Sequence, residues 1–205
     1  MKTVELFSGT GSFSKIAKNR EHEIFRVEID ERFEAELYRD ILKIKEKDLP
    51  KNVDVLWASP PCTSFSVASI GKSWCGNYCP SRVETALGMA YVLKTLELIN
   101  KIKPKYWFIE NPRGVLRKMA FMNGIHRNTV TYCQYGDIRM KPTDIWTNLT
   151  EWKPKPMCKN GDSCHVSAPR GSKTGTQGLK GSIERGVIPP QLIEEIFDVM
   201  EEVNK

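Results

Sequence analysis

Val53-Asp54-Val55-Leu56-Trp57-Ala58-Ser59-Pro60-Pro61-Cys62-Thr63 runs an apolar, β-like segment into two prolines and a thiol. A short apolar run bounded by turn residues reads as a buried sheet strand. The cysteine follows at its carboxyl end, where open α/β sheets hold their ligands. Each proline locks its own φ and pushes the residue before it toward extended geometry, so the backbone sets the direction of the sulfur. Taken alone, Cys62 has two equal readings: an aimed nucleophile, or an inert buried thiol, which is the common state of free cysteines.

Further strand-like runs occupy residues 3–8, 24–29 and 106–110, and helical patterns lie between several of them. This alternation predicts an α/β fold with a parallel, doubly wound sheet. The clearest helix spans 83–103, with Leu87, Ala90, Leu93, Leu96 and Ile99 at helical spacing and Pro104 ending the pattern. Residues 129–134 and 145–147 read as two more strands, joined by the polar link 135–142. At the C-terminus, 189–203 places Leu192, Ile193, Ile196, Phe197, Met200 and Val203 on one helical face and five acids on the other, an amphipathic helix that closes the core. Between them, 151–185 is rich in Lys, Pro, Gly, Ser, Cys and Asp, and reads as a long loop or minimal lobe.

A chain of 205 residues suffices for one α/β domain. Its net charge of +6 fits an anionic partner without demanding one. The N-terminus enters a strand at once, with no signal-peptide pattern, and no segment reaches transmembrane length. The expectation is a cytoplasmic protein without membrane partners, its six cysteines present as free thiols or metal ligands.

Glu5-Leu6-Phe7-Ser8-Gly9-Thr10-Gly11-Ser12-Phe13 leads a strand through a glycine-rich turn into a helical stretch, which lets a ligand approach the backbone at a helix N-terminus. A Gly-x-Gly pair by itself is equally a tight turn. The acids that end the second strand, in Glu28-Ile29-Asp30, favour a nucleoside-containing cofactor, because a carboxylate there can accept from ribose hydroxyls. No lysine follows the glycines in the phosphate-loop manner, so a nucleoside triphosphate is disfavoured. At the end of the fourth strand, Glu110-Asn111-Pro112-Arg113-Gly114 follows the aromatic run Tyr106-Trp107-Phe108-Ile109. Burial there would raise the Glu110 pKa and make it a proton donor beside Cys62; a solvated acid at a strand terminus is the plain alternative. A thiol paired with a raised acid suits attack on an electrophilic ring.

Together, Phe7-Ser8-Gly9-Thr10-Gly11, Pro60-Pro61-Cys62-Thr63-Ser64-Phe65-Ser66, Glu110-Asn111-Pro112, Tyr135-Gly136 and Val187-Ile188-Pro189-Pro190-Gln191-Leu192 resemble, in order, the motifs of the S-adenosylmethionine-dependent cytosine-C5 DNA methyltransferases. The resemblance covers nearly the whole chain. It implies a Rossmann-like doubly wound, mostly parallel sheet: a catalytic domain over 1–150, a reduced target-recognition segment over 151–185, and a C-terminal helix over 186–205 completing the catalytic domain. It implies that Phe7, Gly9, Thr10, Gly11 and Ser12 contact S-adenosylmethionine, Glu28 its ribose, Ile29 one face of the adenine and Asp40 the adenine amine. Cys62, presented by Pro61, is then the nucleophile, with Glu110 and Asn111 beside it and double-stranded DNA as substrate. The positive cofactor and nearby basic side chains are expected to lower the Cys62 pKa. The resemblance implies a monomer, with a dimer left open.

Several positions depart from the family pattern. Arg139-Met140-Lys141-Pro142-Thr143 stands where the family carries Gln-x-Arg-x-Arg, which makes Lys141 the substitute for an arginine near the target base. Arg185-Gly186 replaces the usual Gly-Asn, and the recognition segment is far shorter than usual, as in compact phage enzymes. Arg170, Lys173 and Lys180 lie among glycines in that segment and suit phosphate contacts. Cys158, Cys164 and His165 offer three potential zinc ligands, with Cys75 and Cys79 as completions, but Cys-x5-Cys-His is not a standard spacing, so a structural zinc is kept as the minority reading and no metal is assigned. His22 and His126 read as surface residues. Two other readings stay open: the same chemistry on RNA or a free pyrimidine nucleotide, and a catalytically weak DNA-binding descendant.

Overall fold

The structure, a computed structural model, describes residues 1–167, Leu179 and residues 181–204. Arg170, Lys173 and Lys180 therefore lie outside the described residues. The elements are β1 (Lys2–Leu6), α1 (Ser12–Asn19), β2 (Glu23–Glu28), β3 (Leu37–Tyr38), β4 (Val55–Ala58), α2 (Ile70–Ser73), β5 (Trp74–Cys75), β6 (Cys79–Pro80), α3 (Val83–Ile102), β7 (Tyr106–Pro112), β8 (Arg127–Thr131), β9 (Pro142–Thr147), α4 (Ser182–Gly186) and α5 (Pro190–Val203). Seven strands form one sheet in the order β3-β2-β1-β4-β7-β9-β8. Its first five strands are parallel, while β9 runs antiparallel to both β7 and β8.

Side-chain alternation along the central strands sorts the core into two layers. Val4, Leu6, Leu56, Ala58 and Ile109 face the side covered by Val92, Leu98 and Ile99 of α3. Val55, Trp57 and Phe108 face the other side, under Phe13 and Ile16 of α1 and Leu192, Ile193, Ile196, Phe197 and Met200 of α5. Phe13 stacks on both Trp57 and Phe197, at 5.3 and 5.2 Å between centroids. Helices on both faces of a mostly parallel sheet are the doubly wound arrangement the sequence predicts.

Three expectations need correction. Leu87 and Leu93 are exposed on α3, and its buried stripe runs through Thr85, Gly88, Val92, Thr95 and Ile99. The helix is apolar on several sides, so spacing of leucines did not single out the sheet-facing stripe. The strand expected over 129–134 is Arg127–Thr131; Tyr132–Tyr135 instead forms a 3-10 turn closed by Gly136 at φ 86°. That turn points the Tyr132 side chain into the core rather than along the strand. His22 is half-buried, packed edge-on against Phe197 at 4.9 Å, rather than simply on the surface. Among the described residues, no helix is long and apolar enough to cross a membrane.

Candidate active site

In the parallel register Leu6 pairs with Ala58 and Ala58 with Ile109. The residues that follow each of these therefore emerge at one level: Phe7 and Ser8, Ser59 to Cys62, and Glu110. They open into a cleft of about 930 Å³ at the carboxyl ends of β1, β4 and β7, within the size range of small-molecule sites. Cys62, Pro61, Glu110 and Lys141 line it, as do Phe7, Gly9, Thr10 and Ser12.

The glycine turn is bent to reach the helix. Phe7 and Gly9 have φ 58° and 46°, and Gly11 enters α1 at φ 67°, a conformation that glycine adopts without a Cβ clash. Phe7 has no such freedom, and a bulky residue held at positive φ marks backbone strain of the sort found at binding sites. Beneath the turn, the Glu5 carboxylate is buried and accepts from the amides of Phe13 and Ser14 at 3.3 and 3.0 Å, and from the Ser14 hydroxyl. Burial pushes its pKa up to about 7 despite those donors. Ser8 also lines the cleft, and its buried hydroxyl has no partner among the described residues.

At the other end, Cys62 is held by its own loop. The Phe65 and Ser66 amides donate to the Cys62 carbonyl, both at 3.0 Å, and the Trp74 indole donates to the Ser64 carbonyl at 2.6 Å. Gly114 passes so close that a Cβ there would stand 2.1 Å from the Phe65 carbonyl oxygen. Behind this loop, fully buried Asn111 donates to the Pro60 carbonyl at 3.0 Å and fixes the diproline turn. Asn111 does not itself line the cleft. Glu110 accepts at 2.9 Å from the hydroxyl of buried Tyr132. The Lys141 ammonium lies 4.5 Å from the centre of the Tyr132 ring and donates to the Arg185 carbonyl at 2.8 Å. Lys141 also has φ 28°, a second strained backbone position in the cleft wall.

Basic side chains near Cys62 act in the expected direction, but burial outweighs them. Burial and the Glu110 carboxylate push its pKa above that of a free thiol, and Lys141 and Arg185 only partly offset them. Burial also lowers the Lys141 pKa, opposed by Glu110 and Cys62. These three groups therefore sense one another's charge. Arg139 is not available to a base: it forks onto Asp137 and donates to the carbonyls of Glu184, Arg185 and Val187, tying the segment ahead of α5 to the cleft wall.

A model of the C-5 cytosine-specific DNA methylases matches residues 1–121. The chain belongs to that family. It is 30% identical to the "Probable DNA (cytosine-5)-methyltransferase" of Frog virus 3 (isolate Goorha), over 97% of this chain and the whole of that protein. Type II methyltransferase M.CviJI of Paramecium bursaria Chlorella virus IL3A is 29% identical over 54% of this chain and 30% of its own length. In fold, the chain is similar to a crystal structure titled as a DNA modification methyltransferase encoded within an E. coli prophage, with a TM-score of 0.52 and 16% identity over 72% of this chain and 46% of that one. The chain thus spans the full viral relative but less than half of the prophage protein.

Against the methylase motifs, the structure brings some expected residues to the cleft and leaves others aside. Gly11, Glu28, Ile29 and Asp40 do not line it. Glu28 turns under the glycine loop, accepting from the amides of Gly9, Ile29 and Asp30 at 2.7, 2.8 and 3.2 Å. Asp40 caps the Leu42 amide at 3.0 Å, and Ile29 is largely exposed. Asp30 and Phe33 take places on the wall instead, with Arg32 holding the Asp30 carboxylate well below its usual range. Sequence reasoning missed Glu5 and Tyr132, and of the two acids ending the second strand it gave the ribose to Glu28 where Asp30 lines the cleft. Glu5 alternates to the α1 side of β1, a position that the period-2 pattern does reveal; Tyr132 was hidden by the strand reading.

Proposed function

We propose that this chain is an S-adenosylmethionine-dependent DNA methyltransferase that acts on C5 of cytosine through a covalent Cys62 adduct. The observation that carries this reading is Cys62 facing one cleft with Glu110 and Lys141, at the end of β4 where the family motif stands. The residues present also fit the cofactor. At the glycine-loop end, Ser8 offers a buried hydroxyl with no partner among the described residues, Gly9 leaves open space where a Cβ would stand, and the Asp30 carboxylate suits a ligand that carries hydroxyl donors or positive charge. When bound there, S-adenosylmethionine supplies an electrophilic methyl group. Phe7, Ser8, Gly9, Thr10, Ser12 and Asp30 are the residues that would hold it, with Glu28 supporting the loop.

The target cytosine must leave the duplex stack, because a thiol at the base of a cleft cannot reach C6 within it. Cys62 passes its proton to the Glu110 carboxylate, which relays it to ring N3 as the thiolate adds to C6, so that charge does not build up on the base. C5 is thereby made nucleophilic. Loss of the C5 proton to water and expulsion of the Cys62 sulfur, which recovers its proton from N3 through Glu110, restore the aromatic ring. Lys141 favours the thiolate and any anionic character on the base, and Tyr132 fixes the orientation of Glu110. The segment 151–185 is the candidate for target recognition.

The test is incubation of wild type and Cys62→Ala with methyl-labelled S-adenosylmethionine and, in parallel, mixed-sequence DNA, RNA or free cytidine nucleotide, followed by nucleoside mass spectrometry. Label in 5-methylcytosine for wild type alone is the expected result. Label on RNA or free nucleotide instead, or cofactor binding without label anywhere, would overturn the DNA reading.

A further inference from the structure

A second cluster lies beside the cleft, where the sequence offered three ligands and no partner set. Cys133, Cys158, Cys164 and His165 bring their ligand atoms within 4.8 Å of one another. The Cys133 sulfur is 3.1 Å from that of Cys158 and 3.4 Å from that of Cys164, and His165 Nδ1 is 3.7 and 3.6 Å from the Cys158 and Cys164 sulfurs. These separations are far beyond a disulfide bond of about 2.05 Å. They approach the edges, about 3.5–3.8 Å, of a tetrahedron whose centre holds zinc at about 2.3 Å from sulfur and about 2.0 Å from nitrogen.

We propose that Cys133, Cys158, Cys164 and His165 bind one structural zinc ion. Three thiolates and an imidazole form a borderline-soft donor set that selects zinc over calcium or magnesium, which take oxygen ligands. Four protein ligands fill a tetrahedral shell and leave no open position, so the ion is structural and not catalytic. Cys75 and Cys79, the completions considered from sequence, are not part of the cluster; they pair with each other across the β5–β6 ladder.

The surrounding backbone is arranged for the cluster. Cys133 sits in the 3-10 turn after β8, and the Cys158 amide donates to Thr131 Oγ1 at 3.1 Å on the strand next to it. Gly161, at φ 95°, helps turn the chain back, and the Lys159 amide donates to the Asp162 carboxylate at 2.6 Å inside the same loop. The Gln134 amide points at the Cys164 sulfur at 3.6 Å, an outer donor of the kind that steadies thiolates in metal sites. The Val166 amide then fastens the exit to the Ile138 carbonyl at 2.9 Å. Because Asn160 and His165 line the active-site cleft, the ion would anchor one wall of that cleft to β8.

Metal analysis of the full chain, purified without added metal, tests this directly. One zinc per chain is expected, released in step with mercurial modification of the thiols. Cys133→Ser and Cys158→Ser should lose it, whereas Cys75→Ser and Cys79→Ser should keep it. Because ligand variants can misfold, wild type stripped with chelator is also titrated with cobalt, which should give the visible bands of a tetrahedral cobalt thiolate at one equivalent. Wild type that carries no zinc and yields no such spectrum, non-reducing peptide mapping that finds a Cys133–Cys158 disulfide, or zinc lost in Cys75→Ser but retained in Cys133→Ser would each overturn the assignment.

Discussion

At the scale of single residues, chemistry at Cys62 depends on a contest between burial and Glu110, which disfavour the thiolate, and Lys141, which favours it. Removing the lysine charge by Lys141→Gln moves the thiol further up, leaving roughly three- to tenfold less thiolate at neutral pH. Cys62 alkylation, followed by peptide mapping because other thiols react too, should slow by that factor in the variant and recover as pH rises. Equal rates in both proteins would show that Lys141 does not act on the thiol. Tyr132→Phe leaves a buried Glu110 oxygen without its donor, which costs about 1–3 kcal/mol of stability in urea unfolding. Cys62 and Glu110 were legible in the sequence because strand ends carry chemistry in this architecture. Tyr132 was not, because a short turn in place of a strand moves a side chain by a direction that propensity does not encode.

At the scale of elements, the junction of β1 and α1 stores a pH response in Glu5. Its carboxyl ordinarily titrates near 4.5 but holds its proton up to about 7 in the folded chain. Between those values the unfolded chain releases a proton that the folded chain keeps, so stability falls as pH rises through the window, by about 3 kcal/mol in all. Glu5→Gln should flatten this fall, read as urea midpoints from pH 4.5 to 7; an unchanged slope would rule Glu5 out as its source. The Cys62 loop has its own test in Gly114→Ala, whose added Cβ cannot share space with the Phe65 carbonyl. That loop must then shift, and we expect about 1–3 kcal/mol of destabilisation from the crowding together with slower reaction at Cys62. Elements differ in how far the sequence revealed them. In α5 the apolar face and the acids separate cleanly, so five of the six predicted contacts are buried and only Val203 is exposed. In α3 apolar residues point several ways, and the stripe that meets the sheet includes two threonines and a glycine that no hydrophobic pattern would select.

At the scale of the whole molecule, the sheet order sets β1, β4 and β7 side by side and so gathers three motifs that lie up to about a hundred residues apart in sequence. The β-α alternation predicts the parallel, doubly wound sheet but not the order of its strands, and the cysteine cluster required knowing that the 152–167 segment folds back on β8, a long-range contact with no periodicity to announce it. The gathered cleft carries both signs of charge: Glu5, Asp30 and its partner Arg32 lie at the glycine-loop end, and Glu110 stands among Arg113, Lys141 and Arg185 at the end that is basic on balance. With a net charge of +6, a polyanion should bind along the basic end and release condensed counterions as it does so. Binding to duplex DNA should therefore weaken with added salt, each neutralised phosphate contributing about 0.9 to the slope of log K against log salt concentration. Binding of S-adenosylmethionine at the glycine-loop end involves no polyanion and should stay nearly flat across the same series. Fluorescence anisotropy with a labelled duplex, beside calorimetry with the cofactor, separates the two. A flat DNA response would mean that the basic end does not contact the backbone, and would shift the assignment toward a free nucleotide, which carries too few phosphates to produce the slope.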